Sequence, residues 1–342
     1  MATMKEIAKL AGVSRGTVDR VINNRGSVNP QTEKSIRKII KSLNYSPNVA
    51  GKNLAVRKKK LKFGFVLFGV LDENSFFADV FSGIESRATE LSEYGVTVEV
   101  RESGVYDPDA QVKCIEELVE LGINGLVITA INHPKVAEKL RELTEMGIPV
   151  VTSNSDILDC GRLAYVGSNY YKCGETAAGI MNLITAGAAN IGIISGSPSV
   201  LCNSERIAGF SDYSNALYPN LKIVDVAVNN EEGEESYIST HEMLSKHPDI
   251  NALYITASGV GGVCRAVNEL GLAGKIKIVC FDATAPICQL VEDEVVTVTI
   301  AQQPATQGAL PLDILLNYLS MGTLPENELN YTEIEIKIKE NL

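Results

Sequence analysis

From Leu61 to the C-terminus the chain alternates short apolar, β-rich runs with amphipathic stretches, and this alternation narrows its fold more than any other feature. The runs are Lys62–Phe68, Thr97–Val100, Gly125–Thr129, Pro149–Thr152, Asn190–Ser195, Ile223–Val228, Ala252–Thr256, Lys277–Phe281 and Val296–Ala301. Between them apolar residues return at helical spacing, as at Cys114, Ile115, Leu118 and Val119 before Gly122. Strands separated by helices form parallel sheets, and the crossovers lay helices on both faces. So many strands would make one sheet very wide, which predicts two doubly wound lobes instead. A chain of 342 residues is long enough to bury such a body and a further unit besides.

That further unit is the N-terminal head. The whole chain carries a net charge of -11, which argues against a nucleic-acid partner until its distribution is considered. Residues 1–60 hold fourteen Lys and Arg against Glu6, Asp19 and Glu33, so a strongly basic head precedes a strongly acidic body. Such asymmetry points to nucleic-acid binding by the head. Thr3 and Glu6 have the spacing of a capping box, predicting a first helix from about Met4 to Leu10 with Ile7 and Leu10 on its inner face. Ala11, Gly12 and Val13 supply a turn, and Ser14 caps a short second helix with Val18, Val21 and Ile22 inward, ending near Asn23. Asn29 and Pro30 open a third helix with Ile36, Ile39, Ile40 and Leu43 inward. Residues 46–60 are poor in apolar side chains and end in the basic run Arg57–Lys60, as a linker would.

Residues Ile7–Ser14 followed by Thr17–Asn23 resemble the helix-turn-helix of the lactose-repressor (LacI/GalR) family. The stretch Leu43–Asn48 and the pair Leu54–Ala55 resemble the end of that family's third helix and its hinge helix. The resemblance implies a dimeric, ligand-responsive transcription regulator, expected to repress from a palindromic operator, with a tetramer open as a further state. It divides the chain into a DNA-binding domain (1–45), a hinge (46–60) and an effector-binding body (61–342). The DNA-contacting positions it implies are Thr3, Ser14, Arg15, Gly16, Thr17, Asp19, Arg20, Asn23, Tyr45, Asn48, Leu54 and Ala55. Arg15 and Arg20 offer paired donors to guanine in a major groove. Leu54 takes the place of the leucine that wedges into the minor groove and bends the duplex. Asp19 stands where many relatives have Ser, and a carboxylate near phosphates is unfavourable unless it accepts from cytosine N4 or pairs with a neighbouring arginine, so no operator sequence is carried over.

The body resembles the type I periplasmic-binding-protein core of the same family, and in local wording ribose-type sugar-binding proteins. The resemblance rests on Asn74–Phe77, Glu205–Phe210, Val279–Asp282 and Thr299–Pro304, segments placed just past strand ends, where open α/β sheets bind ligands. It implies an N-lobe of about 61–165 with 303–325 and a C-lobe of about 166–302 with 326–342. The implied ligand set is Asn74, Phe76, Phe77, Asn154, Arg206, Asp282 and Gln302, with the phenylalanines against the C–H face of a sugar ring and the planar polar groups on its hydroxyls. Asn154–Ser155 and Ala257–Gly259 depart from the acidic and basic residues of the ribose-type pattern, which argues for a different ligand. A modified sugar, a polyol, a sugar acid and a nucleobase stay open.

Other classes fit poorly. Gly259–Gly262 follows a strand faintly like a dinucleotide site, but Cys264 stands where a third glycine belongs, and tight-turn geometry explains the glycines. His133, His241 and His247 form no catalytic or metal-binding pattern, so neither an enzyme nor a cofactor is expected. Seven cysteines without a C-x-x-C pair read as apolar fillers of a reducing compartment. The absence of a signal-like apolar segment at Met1–Leu10 and of any bilayer-length run points to a cytoplasmic protein rather than a transport-type binding protein or a membrane protein.

Overall fold

The computed structural model describes residues 3–22, 28–43, 59–69, 75–104, 107–198, 200–229 and 233–342. Three helices build the head: α1 (Met4–Ala11), α2 (Arg15–Ile22) and α3 (Pro30–Ser42). Local chemistry sets their ends. The Thr3 hydroxyl accepts from Glu6 N at 3.3 Å while Glu6 Oε2 accepts from Thr3 N at 2.8 Å, closing the capping box. Gly12 adopts φ +64°, the left-handed conformation that stops α1. The Ser14 hydroxyl accepts from Thr17 N at 3.1 Å, and Asn29 Oδ1 accepts from Gln31 N at 2.9 Å. Ile7, Ala8, Val18, Val21 and Ile36 form the buried centre of the head. Leu10, expected inside, is 63% exposed, because α1 is short and α2 and α3 already cover the side occupied by Ile7 and Ala8.

The body contains two six-stranded sheets. In chain order its strands are β1 (Lys62–Phe68), β2 (Thr97–Ser103), β3 (Gly125–Ile128), β4 (Val150–Ser153), β5 (Ala164–Gly167), β6 (Ala189–Ser195), β7 (Leu221–Val228), β8 (Ala252–Ile255), β9 (Lys277–Phe281), β10 (Val298–Ala301), β11 (Leu329–Tyr331) and β12 (Glu335–Lys337). The intervening helices are α4 (Ser75–Ser92), α5 (Pro108–Glu120), α6 (Pro134–Glu145), α7 (Tyr170–Ile184), α8 (Leu201–Leu217), α9 (Gly233–Lys246), α10 (Val260–Glu269), α11 (Ala285–Glu292) and α12 (Pro304–Met321). The first sheet has the order β11-β5-β4-β3-β1-β2 and the second β12-β10-β9-β8-β6-β7. Adjacent strands run parallel throughout, except for the antiparallel pair β10 and β12. In each sheet the first strand lies between the second and third of its lobe, so both lobes reverse direction beside their opening strand.

The chain passes between the lobes after β5, after β10 and after β11. This corrects the lobe boundary drawn at residue 326. Leu329–Tyr331 pairs with Tyr165–Gly167 and completes the first sheet, so the final segment joins the second lobe only after Tyr331. Without β11, β5 would be an open edge with unpaired backbone groups, a cost that three residues suffice to remove. The apolar runs do not mark β5, β11 or β12, which are at most four residues long and lack a sustained apolar pattern.

Glycines set how closely the helices approach. A Cβ on Gly174 would come 2.2 Å from the Arg206 carbonyl, and one on Gly209 would come 2.0 Å from the Tyr171 carbonyl, so α7 and α8 meet backbone to backbone. Gly262 lies under α9 in the same way, where a Cβ would come 1.9 Å from the Gly233 carbonyl. Helix packing therefore accounts for a glycine in the segment that faintly resembles a dinucleotide turn. Cys160, Cys173, Cys202, Cys264 and Cys280 are buried, and burial pushes the Cys264 thiol up to about 12. No described helix is long and apolar enough to cross a membrane.

Candidate functional site

Two surfaces hold the residues singled out by the sequence. The first is the outer face of α2. Val18 and Val21 turn inward, which places Arg15, Gly16, Asp19 and Arg20 on the opposite side of the helix. Arg15, Gly16 and Arg20 are exposed, and Thr17 and Asp19 are half-buried. A side chain at position 16 would meet only Ser14 Oγ, at 3.7 Å, which is ordinary contact. The fold itself therefore does not require glycine there. The Ser14 and Thr17 hydroxyls lie 2.9 Å apart and fix the start of the helix. Thr3 is an exposed cap at the start of α1. Asn23, Tyr45, Asn48, Leu54 and Ala55 lie outside the described residues.

The second surface is the cleft edge where strands of both sheets end. Asn154 follows β4, Thr256 follows β8, Asp282 follows β9 and Gln302 follows β10. Arg206 reaches the same region from the second turn of α8, so the Glu205–Phe210 segment lies inside that helix rather than opening it. Asn154, Asp282 and Gln303 hold φ of +60°, +73° and +52°. For residues with a Cβ such conformations cost about 1–2 kcal/mol each, and they tend to gather at functional sites.

Hydrogen bonds join these residues into a chain across the cleft. Gln302 Nε2 donates to Asp282 Oδ1 at 2.6 Å. Gln307 Nε2 donates to the Gln302 carbonyl at 2.7 Å, and Asn154 Nδ2 donates to Gln307 Oε1 at 3.0 Å. The Tyr165 hydroxyl lies 2.9 Å from the Asn154 carbonyl and 3.0 Å from the Ser168 carbonyl. Arg206 donates to the Thr256 carbonyl, and its guanidinium carbon sits 3.7 Å from the centre of the Phe281 ring and 4.9 Å from that of Tyr170. Burial drives the Tyr170 and Tyr254 phenols well above the ordinary tyrosine range, so both stay protonated near this cation.

The site is rich in buried polar atoms without a partner in the fold: Ser155 Oγ, Tyr170 Oη, Arg206 Nε, Tyr254 Oη and Gln302 Oε1. Each such atom costs about 1–3 kcal/mol when left unsatisfied. A ligand carrying several hydroxyls would supply the missing donors and acceptors.

Of the expected ligand set, the structure gathers Asn154, Arg206, Asp282 and Gln302. Phe76 and Phe77 lie in the first turn of α4. Both are nearly fully buried in the first lobe's core, edge to face with each other at 5.3 Å, and Phe77 meets Phe68 at 5.6 Å. The start of α4 thereby meets the end of β1 through the Phe68 and Phe77 rings. Asn74 lies outside the described residues. Gln307 and Tyr165 join the site without having been marked by the sequence. The cluster of amides Gln302, Gln303 and Gln307 beside a strand end is the one available signal for Gln307, and nothing local marks Tyr165.

Comparison with known proteins follows this division. Residues 64–323 match the family described as periplasmic binding protein domain, and residues 3–48 match the family described as bacterial regulatory proteins, lacI family. The chain is similar to catabolite control protein A of Staphylococcus epidermidis, 24% identical over 93% of this chain and 92% of the relative. It is similar also to catabolite control protein A of Priestia megaterium, at 25% identity over 94% of each. The D-ribose/D-allose-binding protein of Pseudomonas aeruginosa is 25% identical over 75% of this chain and 81% of its own. In fold the body is similar to a solute-binding protein of Burkholderia graminis solved with D-arabinose, with a TM-score of 0.76 and 24% identity over 82% of this chain and 96% of that one. A putative LacI transcriptional regulator of Bacteroides fragilis superposes with a TM-score of 0.74 at 22% identity, covering 82% of this chain and 98% of its own.

Proposed function

The chain belongs to the periplasmic binding protein domain family and, with its lacI-family head, is a DNA-binding regulator; from that premise we propose that it acts as a homodimeric repressor controlled by a sugar or sugar derivative in the interlobe cleft. The observation that carries the ligand class is the Arg206, Asp282, Gln302 constellation, with its buried partnerless Arg206 Nε and Gln302 Oε1. A helix-borne guanidinium with a carboxylate and an amide at strand ends recognises vicinal hydroxyls through paired hydrogen bonds. The relative named for ribose and allose, and the structural neighbour solved with D-arabinose, support a monosaccharide-sized ligand. Asn154 and Ser155, in place of a carboxylate and a guanidinium, favour a ligand other than ribose.

For the head, α2 enters a major groove with Arg15 and Arg20 reading bases, and Leu54 wedges into the minor groove at the operator centre. Exposure of both arginines on the face opposite the head core supports this assignment. One head of this size buries too little for tight specificity, which argues for two heads on a two-fold operator. Ligand binding shifts the lobes toward one orientation, and DNA affinity changes only as far as ligand affinity differs between the two orientations.

The test joins two measurements on the full chain. Operator sequences are selected from random duplexes, and binding is then titrated by fluorescence anisotropy with and without a panel of pentoses, hexoses, polyols, sugar acids and nucleobases. The reading stands if a palindrome is selected and one carbohydrate changes its affinity. Selection of a palindrome with a response to a nucleobase alone would keep the regulator and replace the ligand class. No selected sequence at all would overturn the DNA-reading role.

A further inference from the structure

The seam between the lobes holds a second cavity, back to back with the cleft. Its volume is about 290 Å³, and its walls include Asp156, Arg162 and Tyr331 of the first lobe and Tyr170, Tyr171 and Glu205 of the second. Tyr165 and Tyr170 form the partition: both line this cavity, while the Tyr165 hydroxyl donates to the Asn154 carbonyl and the Tyr170 ring faces the Arg206 guanidinium on the cleft side. Tyr170 is only 3% exposed, so it closes this wall without opening a polar group into the space. Nothing in the cleft's hydrogen-bond chain uses Glu205 or the Tyr331 ring.

The charges in this wall do not balance. Asp156 is held by Arg162 through Nε at 2.8 Å and Nη2 at 2.9 Å, and accepts from the Thr152 hydroxyl at 2.6 Å. The same guanidinium also meets the exposed Glu328 carboxylate, so none of its charge is spare. Glu205 is partly buried and makes no hydrogen bond or ion pair among the described residues. Burial, and then the charge of Asp156, raise its carboxyl above the usual range. The Glu205 carboxylate is therefore an unopposed negative charge in the cavity. The Tyr171 and Tyr331 rings flank the same space and are partly open to solvent. Unopposed carboxylate beside aromatic faces is the chemistry that recognises an organic ammonium ion, through ion pairing and cation–π attraction together. Among the described residues no group of three or more His, Cys, Asp or Glu could hold a metal, which favours an organic cation over a metal ion.

We propose that this seam cavity binds a small organic ammonium ion, with Glu205 as its counter-ion and the Tyr171 and Tyr331 rings as its walls. Because the walls belong to both lobes, the bound cation ties the lobes together and favours the arrangement in which the seam is closed. It thereby acts beside the cleft ligand as a second input.

The experiment uses the full-length protein with choline and ethanolammonium as probes, followed by thermal denaturation and titration calorimetry at constant ionic strength. Ethylene glycol and sodium chloride are the neutral and the ionic controls. Saturable stabilisation by the amines and not by the controls is expected. Glu205→Gln should weaken amine binding by at least about tenfold, and Tyr331→Ala by about threefold or more. Asp282→Asn, which alters the cleft, should leave the amine response in place. The proposal is overturned if no amine gives a saturable response, if sodium chloride reproduces it, or if it survives both Glu205→Gln and Tyr331→Ala. Its loss in Asp282→Asn would place the cation in the cleft and also overturn the seam assignment. Should Glu205→Gln fail to fold, Tyr331→Ala, at an exposed position, decides the matter.

Discussion

The guanidinium of Arg206 lies over Phe281, its central carbon 3.7 Å from the ring centre, while Phe281 ends the strand that delivers Asp282. One contact thus couples the helix-borne cation to the strand end that carries the Asp282 carboxylate. The stack orients a planar fork that a lysine cannot reproduce. Arg206→Lys is therefore expected to keep the fold, with an unchanged far-ultraviolet circular dichroism spectrum, and to lower affinity for the cleft ligand by about tenfold or more, measured by calorimetry. Undiminished affinity would remove Arg206 from the site.

Gly174 and Gly209 predict how the same arginine is supported. An added methyl at 174 would press on the Arg206 carbonyl itself, at 2.2 Å. Gly174→Ala should cost about 1–3 kcal/mol in urea denaturation, as overpacking does, and should weaken ligand binding too, because α8 must move. Gly209→Ala should destabilise to a similar degree. A neutral effect at both positions would mean that the two helices can separate freely.

Gly16 should behave in the opposite way. With open space around it, Gly16→Ala removes a poor helix former and should stabilise the head by up to about 1 kcal/mol. If the bare backbone is there to approach bases, the same change weakens operator binding while it raises the melting temperature. Stabilisation without loss of binding would assign Gly16 no part in DNA contact.

Arg15→Ala and Arg20→Ala should each cost about 1–3 kcal/mol in specific binding and relax the base preference at one operator position, as seen by anisotropy across single-base variants. Leu54→Ala should weaken specific binding by about tenfold or more and spare non-specific binding. Equal loss on specific and random duplexes would sink the wedge.

Glu205 carries a pH signature of its own. Its raised carboxyl means that the native state holds a proton more readily than the unfolded chain does, so this group lowers stability as pH rises from the unfolded carboxylate range through the raised value. Glu205→Gln should therefore melt about a degree or two above the parent near neutrality. The gap should close under acid conditions, where both side chains are uncharged. A gap independent of pH would point to packing instead of charge.

Much of this molecule is local in origin, and those parts are legible in the residues alone. Thr3 with Glu6, Gly12, Ser14 and the pair Asn29–Pro30 start and stop the head helices through bonds within a few residues, so no distant contact is needed to place them. Lys62–Phe68 and Lys277–Phe281 are strands at the limits read from their apolar runs, because buried parallel strands are apolar on both faces. Arg206, Asp282 and Gln302 are marked by resemblance; strand ends deliver Asp282 and Gln302, and helix α8 brings Arg206 to the same region.

Only the tertiary structure decided the remainder. Leu329, Asn330 and Tyr331 read as loop until β5 offers an edge to pair with, and the first sheet then closes with residues about 160 positions away in the chain, a separation at which no local pattern can act. Leu10 lies outside although helical spacing puts it inside, since burial depends on which neighbours share the core. Phe76 and Phe77 turn inward for the same reason. The role of Gln307 and the unopposed charge of Glu205 arise from groups far apart in the chain, and no periodicity encodes them. Short-range hydrogen bonding and apolar patterning are properties of a segment, whereas partnership, burial and charge balance belong to the assembled fold.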